Sequence, residues 1–106
     1  MTTFDEREHA YEAKFARDEE LRFKAKARRN KGFGRWVAAQ LGLKGEAADE
    51  YTKEVYRADF KEGDTGMLAK VLGDFKDKSI AMEERTLKKK LIELMAQAVA
   101  EIESGK

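Results

Sequence analysis

The sequence predicts an all-α protein of one domain, in which a small four-helix bundle carries a projecting N-terminal helical arm. The chain has 106 residues, of which 41% are charged, and it contains no proline. Apolar residues recur at helical spacing in several stretches, and no stretch alternates apolar and polar residues long enough to predict a strand. A chain of this length has room for one modest core. Helical segments joined by short connections are typical of an antiparallel bundle.

The arm is predicted over residues 1–31. Thr3 and Glu6 have the spacing of a capping box, which marks the start of a helix. Nothing in the sequence breaks the helix before Gly32. At 1.5 Å per residue, a helix of this length would reach roughly 42 Å, which is longer than so small a domain is wide. Much of the arm is therefore expected to project.

Charge is divided along the arm. Residues 1–20 contain seven acids and three bases, whereas the stretch 22–35 contains seven bases and no acid. The early acids favour the helix dipole. Phe4, Tyr11 and Phe15 lie on one helical face, where they either contact the chain's own bundle or anchor the arm in a groove of a partner. We favour the partner.

The bundle is predicted over residues 32–106. Gly32 and Gly34 weaken helix propensity, and they predict a bend where the arm meets the bundle. Four amphipathic stripes follow, each with apolar residues at intervals of three or four. In chain order, their apolar positions are Phe33, Trp36, Val37 and Leu41; Ala48, Tyr51, Val55 and Ala58; Met67, Leu68, Val71, Leu72 and Phe75; and Leu87, Leu91, Leu94, Met95, Ala98 and Ile102.

Glycines and polar residues predict the boundaries of these helices. Gly42 suits the left-handed position that follows a helix C-terminus. Gly63 is predicted to end the second stripe, and Asp64 or Thr65 to cap the third. The last helix has no good N-cap residue, so its start is not defined by the pattern.

Composition excludes several classes of function. The absence of cysteine excludes disulfides and thiolate catalysis, and a net charge of +1 gives no overall attraction to nucleic acid or membranes. With neither a signal peptide nor a membrane-spanning run, we predict a soluble, cytoplasmic protein that is not inserted in a membrane. His9 pairs with Glu6 at Glu-x-x-His spacing, but a metal site or general base needs further groups. We therefore predict no enzyme, no metal and no cofactor.

The basic run 22–35 has two interpretations. It is either a solvated helix face or a site for phosphate, which would make the chain a small nucleotide-phosphate or nucleic-acid binding module. Weak binding of ATP or ADP would then involve Lys24, Arg28, Arg29 and Lys31. No nucleic acid is expected, because the aromatic residues of the run form no regular stacking platform.

A set of short patches, in matching order over most of the chain, resembles a known family. The patches are Thr2-Thr3-Phe4-Asp5, Glu12-Ala13-Lys14-Phe15-Ala16, Glu20-Leu21, Ala27-Arg28-Arg29-Asn30-Lys31, Trp36, Leu41-Gly42-Leu43, Lys53-Glu54-Val55 and Ala58-Asp59-Phe60. With them the chain resembles the zeta subunit of alphaproteobacterial F-type ATP synthases. It departs from that pattern at Gly32 and Arg35, where larger or apolar residues are usual.

The resemblance implies an inhibitor of ATP hydrolysis, folded as a four-helix bundle with an N-terminal inhibitory segment. It implies that residues 1–19 wedge between catalytic subunits near the rotor and block rotation. The partners would be the alpha, beta and gamma subunits of the catalytic head, and the protein would lie peripherally at the inner membrane through the synthase. The residues expected at this contact are Phe4, Asp5, Arg7, Tyr11, Glu12, Lys14, Phe15, Asp18 and Glu19.

Overall fold

The computed structural model describes residues 19–105, which form three helices. Helix α1 spans Glu19–Gln40, helix α2 spans Gly45–Asp77 and helix α3 spans Glu84–Glu103. The prediction of an all-α protein is confirmed, since the described residues contain no strand. The predicted four-helix bundle is wrong for this part of the chain, because the two helices expected on either side of Gly63 are joined in α2. None of the three helices is long and apolar enough to cross a membrane.

Helix α2 is kinked at Gly63, where one helix was predicted to end. Gly63 has φ 76° and ψ −172°, which lies outside the helical region. Glycine adopts a positive φ without the steric cost that a Cβ brings. Because a Cβ at this position would meet no atom within 4 Å, the demand for glycine here is conformational.

Helix α1 runs without interruption through Gly32 and Gly34, so the bend predicted there is wrong. Gly34 is buried against α2, and a Cβ on it would lie 3.0 Å from the Cα of Thr52. Gly32 faces α3, and a Cβ on it would lie 3.5 Å from the side chain of Leu94, which is an ordinary contact distance. The absence of a side chain at Gly34 therefore allows α1 and α2 to approach closely.

The main core lies between the three helices and draws on all four predicted stripes. Its buried members are Phe33, Val37, Ala38, Leu41, Tyr51, Val55, Met67, Leu68, Val71, Phe75, Leu87 and Leu91. Trp36 is half-buried at the edge of this core, with its ring centroid 6.3 Å from that of Phe33. The Lys90 ammonium lies 5.4 Å from the Trp36 ring centroid. Trp36 is thus a bundle residue, as the sequence predicts.

A smaller apolar cluster holds the first half of α1 against the end of α3. Ala25, Ala98 and Val99 are buried in it, and Leu21 is among the half-buried residues at its edge. Residues 19–31, which belong to the predicted arm, therefore pack on the bundle. Whether residues 1–31 act as a separate functional unit stays a prediction, and residues 1–18 lie outside the described part of the chain.

The connections follow the expected boundary residues. Gly42 has φ 81°. Its N–H donates to the carbonyl of Ala39 at 3.0 Å, and that of Leu43 donates to the carbonyl of Ala38 at 2.9 Å. This pair of hydrogen bonds is a Schellman motif, so the predicted C-terminal role of Gly42 is confirmed. Helix α3 follows Glu83, which makes no side-chain capping bond, in keeping with the absence of an N-cap signal.

Candidate functional site

The residues predicted to contact a partner lie almost wholly before the described part of the chain. Phe4, Asp5, Arg7, Tyr11, Glu12, Lys14, Phe15 and Asp18 are outside residues 19–105. Glu19, the last of the set, is the first residue of α1 and is exposed. The segment that precedes α1 is therefore joined to the bundle at a solvent-exposed helix end.

The structure separates the four residues predicted to contact phosphate. Lys24 lies on the exposed surface of α1, 3.3 Å from the Glu20 carboxylate. Arg29 is buried at 8% exposure and pairs with Asp64. Arg28 and Lys31 line a groove between α1 and α2. Two of the four predicted residues are thus brought together, and Arg29 is committed to a pair inside the protein.

The groove has a volume of about 580 Å³ and a strongly basic rim. We call it the basic groove, and its lining residues are Ala27, Arg28, Lys31, Arg35, Asp49, Thr52, Lys53, Tyr56 and Arg57. Five of these side chains are cationic, and Asp49 is the acid among them. The three cations of α1 fall at i, i+3 and i+7, and the two of α2 at i and i+4, so each set shares one helical face.

The chemistry of the basic groove suits an anion with several phosphate oxygens. Arginine presents a planar fork of donors that matches phosphate, and lysine adds a mobile point charge. Tyr56 is 37% exposed beside these cations, so part of its ring is open to a ligand. Arg28 also lies 3.5 Å from Glu101 of α3. Both of those side chains are about 40% exposed, so their attraction is weak and easily exchanged.

A second cluster, which we call the polar junction, lies where α1 crosses the kink of α2. It consists of Lys26, Arg29, Asn30, Asp59 and Asp64. Arg29 donates to both oxygens of Asp64, from Nη1 at 3.2 Å and from Nη2 at 2.7 Å, and its Nε donates to Asn30 Oδ1 at 3.0 Å. Asn30 Nδ2 donates to Asp59 Oδ2 at 2.7 Å. Lys26 Nζ lies 3.5 Å from Asp59 Oδ2 and 3.8 Å from Asp64 Oδ1.

The two carboxylates of the polar junction have shifted pKa values of opposite sign. Burial, followed by the neighbouring Asp64 carboxyl, raises the pKa of Asp59, and the Asn30 amide and the Lys26 charge only partly oppose this. Burial alone would also raise the pKa of Asp64, but the neighbouring Asp59 carboxyl, the hydrogen bonds from Arg29 and the nearby cations lower it to about 2. The environment thus separates two chemically identical groups.

A third polar contact ties the two parts of α2 together across the kink. Tyr51 donates its hydroxyl to Asp74 Oδ2 at 2.7 Å, and Lys70 donates to the same oxygen at 2.9 Å. Burial, together with the Asp74 carboxylate, raises the pKa of the Tyr51 hydroxyl. Tyr51 is itself a core residue, so this contact serves the packing of the bundle.

Sequence reasoning missed the polar junction and half of the basic groove. The sequence does hold one signal for the junction. Asn30 is the uncharged polar residue within the basic run, and with Phe33 and Val37 it falls at i, i+3 and i+7, the positions of a buried face. The groove residues of α2, Lys53 and Arg57, carry no comparable signal, because their place beside α1 depends on how the helices pack.

Comparison with known proteins gives one family. A family described as ATPase inhibitor subunit zeta matches residues 1–101 of the chain. The match therefore includes all three helices nearly to the end of α3 and also residues 1–18. No protein in a search of curated sequences matches the chain.

Proposed function

The chain belongs to the ATPase inhibitor subunit zeta family, and we propose that it inhibits ATP hydrolysis by the catalytic head of an F-type ATP synthase through its N-terminal residues. The family match carries this proposal, because it includes the segment before α1 together with the bundle. The family is one of regulatory subunits of an ATPase. The proposed partners are the alpha, beta and gamma subunits, at the cytoplasmic side of the inner membrane.

The proposed mechanism is a wedge. Residues 1–19 enter a cleft between catalytic subunits, which opens and closes during rotary turnover, and hold it in one state. Phe4, Tyr11 and Phe15 supply the apolar anchors, because residues at this spacing share one face of a helix and fit a groove. Binding must also offset the cost of ordering the segment. The exposed start of α1 supports this arrangement, since it leaves the preceding segment attached at the surface.

The test measures ATP hydrolysis by a matched catalytic head with added protein. Three proteins are compared with the intact chain: one lacking residues 1–18, the variant Phe15→Ala, and the control Arg17→Ala, which removes a charged side chain from the helical face opposite the aromatic residues. We expect the truncated chain to lose inhibition. Phe15→Ala should weaken inhibition by about 1–3 kcal/mol, the range of an interface hot spot, and Arg17→Ala by much less.

Two results of this assay would contradict the proposal. The first is inhibition by the truncated chain as strong as that by the intact chain, which would place the inhibitory element in the bundle. The second is an equal effect of Phe15→Ala and Arg17→Ala, which would remove the role of the aromatic face. Thermal unfolding of each protein, measured alone, checks that the bundle remains folded.

A second candidate function is weak binding of ATP or ADP, which the basic groove favours. Five cations around a groove of about 580 Å³, with an accessible tyrosine beside them, offer partners for a polyphosphate and for a base. This site would use Arg28 and Lys31, as the sequence predicts, together with Arg35, Lys53 and Arg57.

Nucleotide titration followed by amide chemical shifts tests this second function. We expect perturbations along the groove, and an affinity that falls steeply as salt rises. Lys31→Gln should weaken binding several-fold. The matched control is Lys24→Gln, since Lys24 is exposed on the same helix but lies outside the groove. An equal effect of the two substitutions, or perturbations confined to α3, would reject the groove as the site.

A further inference from the structure

One oxygen of the polar junction is buried without a hydrogen bond. Asp59 is 7% exposed, and its Oδ1 is the unpartnered buried side-chain atom of residues 19–105. The Nη2 of Arg29 lies 3.9 Å from this oxygen, which is too far for a hydrogen bond. Buried polar atoms nearly always have a partner, because an unmade hydrogen bond in the interior is costly. The missing partner of Asp59 therefore calls for an explanation.

The Asp64 carboxyl lies beside Asp59, because both carboxyls share the same two cations: Arg29 Nη2 is 3.9 Å from Asp59 Oδ1 and 2.7 Å from Asp64 Oδ1, and Lys26 Nζ is 3.5 Å from Asp59 Oδ2 and 3.8 Å from Asp64 Oδ1. When both groups are ionised they can only accept, so no bond forms between them and their charges repel. A proton on Asp59 changes this, because the protonated oxygen becomes a donor and Asp64 has lone pairs left over from its bonds to Arg29. One proton would satisfy Asp59 Oδ1 and remove the repulsion.

We propose that Asp59 and Asp64 form a proton-binding site, in which a proton on Asp59 Oδ1 is donated to the Asp64 carboxylate. The two residues lie on opposite sides of Gly63, so the shared proton joins the two parts of α2 across its kink. The site takes up one proton and releases none, so the charge of the polar junction rises by one. The inference is independent of the proposed inhibition.

The charged groups that face Asp59 are compatible with a proton on its carboxyl. From α1, the cations Lys26 and Arg29 and the neutral Asn30 face the carboxyl, and from α2 the facing group is Asp64. Arg29 is engaged by both oxygens of Asp64, and the Lys26 ammonium is half-exposed, which weakens its attraction. Burial of the Asp59 carboxylate therefore outweighs the attraction of the two cations.

The sign of the pH effect follows from the two carboxyl groups. Burial raises the pKa of Asp59, so its contribution to stability is complete below the ordinary value of 3.8 and is lost as pH rises through the folded-state value. Asp64 behaves in the opposite way, since its pKa is lowered to about 2, so its contribution is lost only as pH falls below the ordinary range. Above the ordinary aspartate range, Asp59 is therefore the group of the pair that takes up a proton as pH falls.

The first experiment is a pH titration of the full chain, followed by the side-chain carboxyl carbon signals of its aspartates. We expect Asp59 to titrate at a higher pH than the other aspartates, and Asp64 to stay ionised as Asp59 takes up its proton. The carboxyl carbon signal of Asp64 should shift as Asp59 takes up its proton, although Asp64 itself stays ionised, because it then accepts the new hydrogen bond. Titration of Asp59 at or below the ordinary aspartate range would overturn the proposal.

The second experiment compares melting temperatures from pH 7 to pH 4. Asp59→Asn imitates the protonated carboxyl, because its amide can donate to Asp64 and accept from Asn30. We expect this variant to melt above the natural chain at pH 7, and the gap to close as pH falls. The matched control is Asp77→Asn, which alters an exposed carboxylate of the same helix. A gap that does not change with pH, or one that the control reproduces, would overturn the proposal.

Discussion

The two halves of helix α1 are held in place by different interactions. In the second half, residues 32–40, the buried side chains are apolar, and Phe33 and Val37 have no exposed surface. In the first half, residues 19–31, one small apolar residue, Ala25, is buried together with Arg29 and Asn30. One half is packed into the main core, and the other is fastened by paired polar groups.

The two kinds of contact contribute differently, since apolar burial stabilises the fold and polar pairing determines the position of the helix. Burial of a large apolar side chain contributes about 1.5–3 kcal/mol. A buried ion pair adds little net stability, because its attraction is set against the loss of hydration, but removal of one partner leaves an unpaired charge. The second half of α1 therefore supplies stability, and the first half defines where α1 lies on the kink of α2. Substitutions in the two halves should differ in size and in kind.

The largest effect should come from the apolar half. Phe33→Ala removes a fully buried ring from the main core and leaves a cavity, so we expect a loss of about 3–5 kcal/mol in the free energy of unfolding. Denaturant unfolding measures it. Phe23→Ala is the control in the other half, since Phe23 is 63% exposed and its loss should change stability by less than ~0.5 kcal/mol. Similar losses for the two variants would erase the contrast between the halves.

An intermediate effect should come from the polar half. Arg29→Met keeps most of the side-chain volume but removes the bidentate bond to Asp64 and the bond to Asn30. We expect a loss of about 1–3 kcal/mol in the free energy of unfolding. The buried Asp59 carboxyl would lose a nearby cation, whereas water can still solvate part of the Asp64 carboxylate. The control is Arg28→Met, whose ion pair with Glu101 is exposed. If Arg29→Met were neutral, the polar junction would not position α1.

Much of the fold could be predicted from the sequence, because apolar periodicity and local turn chemistry are properties of neighbouring residues. Phe33, Val55 and Leu87 are buried as their spacing predicts, and Gly42 forms the expected helix end. The count of four helices was wrong because a glycine can end a helix or merely kink it. After Gly63 the chain resumes a helical path at once. The two helices predicted from the second and third stripes are therefore one kinked helix, α2.

The polar junction could not be predicted, because its partners are far apart in the chain. Arg29 and Asp64 are separated by 35 positions, and Asn30 and Asp59 by 29. Within the basic run, Arg29 has the same character as Arg28, which lies on the surface. Only the packing of α1 on α2 assigns one to the interior and the other to the basic groove.

The smallest effects, and the sharpest test of how α1 is built, should come from its two glycines. In a helix interior, alanine is favoured over glycine by about 0.5–1 kcal/mol. Gly32→Ala should gain this amount, since the new Cβ would lie 3.5 Å from the Leu94 side chain, an ordinary contact. Gly34→Ala should instead lose roughly 1–2 kcal/mol, because its Cβ would lie 3.0 Å from the Thr52 backbone and force the helices apart.

Chemical unfolding of the two variants beside the natural chain gives opposite signs if α1 is a continuous helix packed closely on α2. Each variant is the control for the other, since the substitution, the helix and the change in propensity are the same. A bend at these glycines would make both substitutions costly, because each would stiffen a hinge. Equal gains would mean that Thr52 moves aside freely and that the close approach of α1 and α2 does not depend on Gly34. Opposite signs would show that the close contact between α1 and α2 depends on Gly34, whereas a methyl group at Gly32, two positions away, is accommodated.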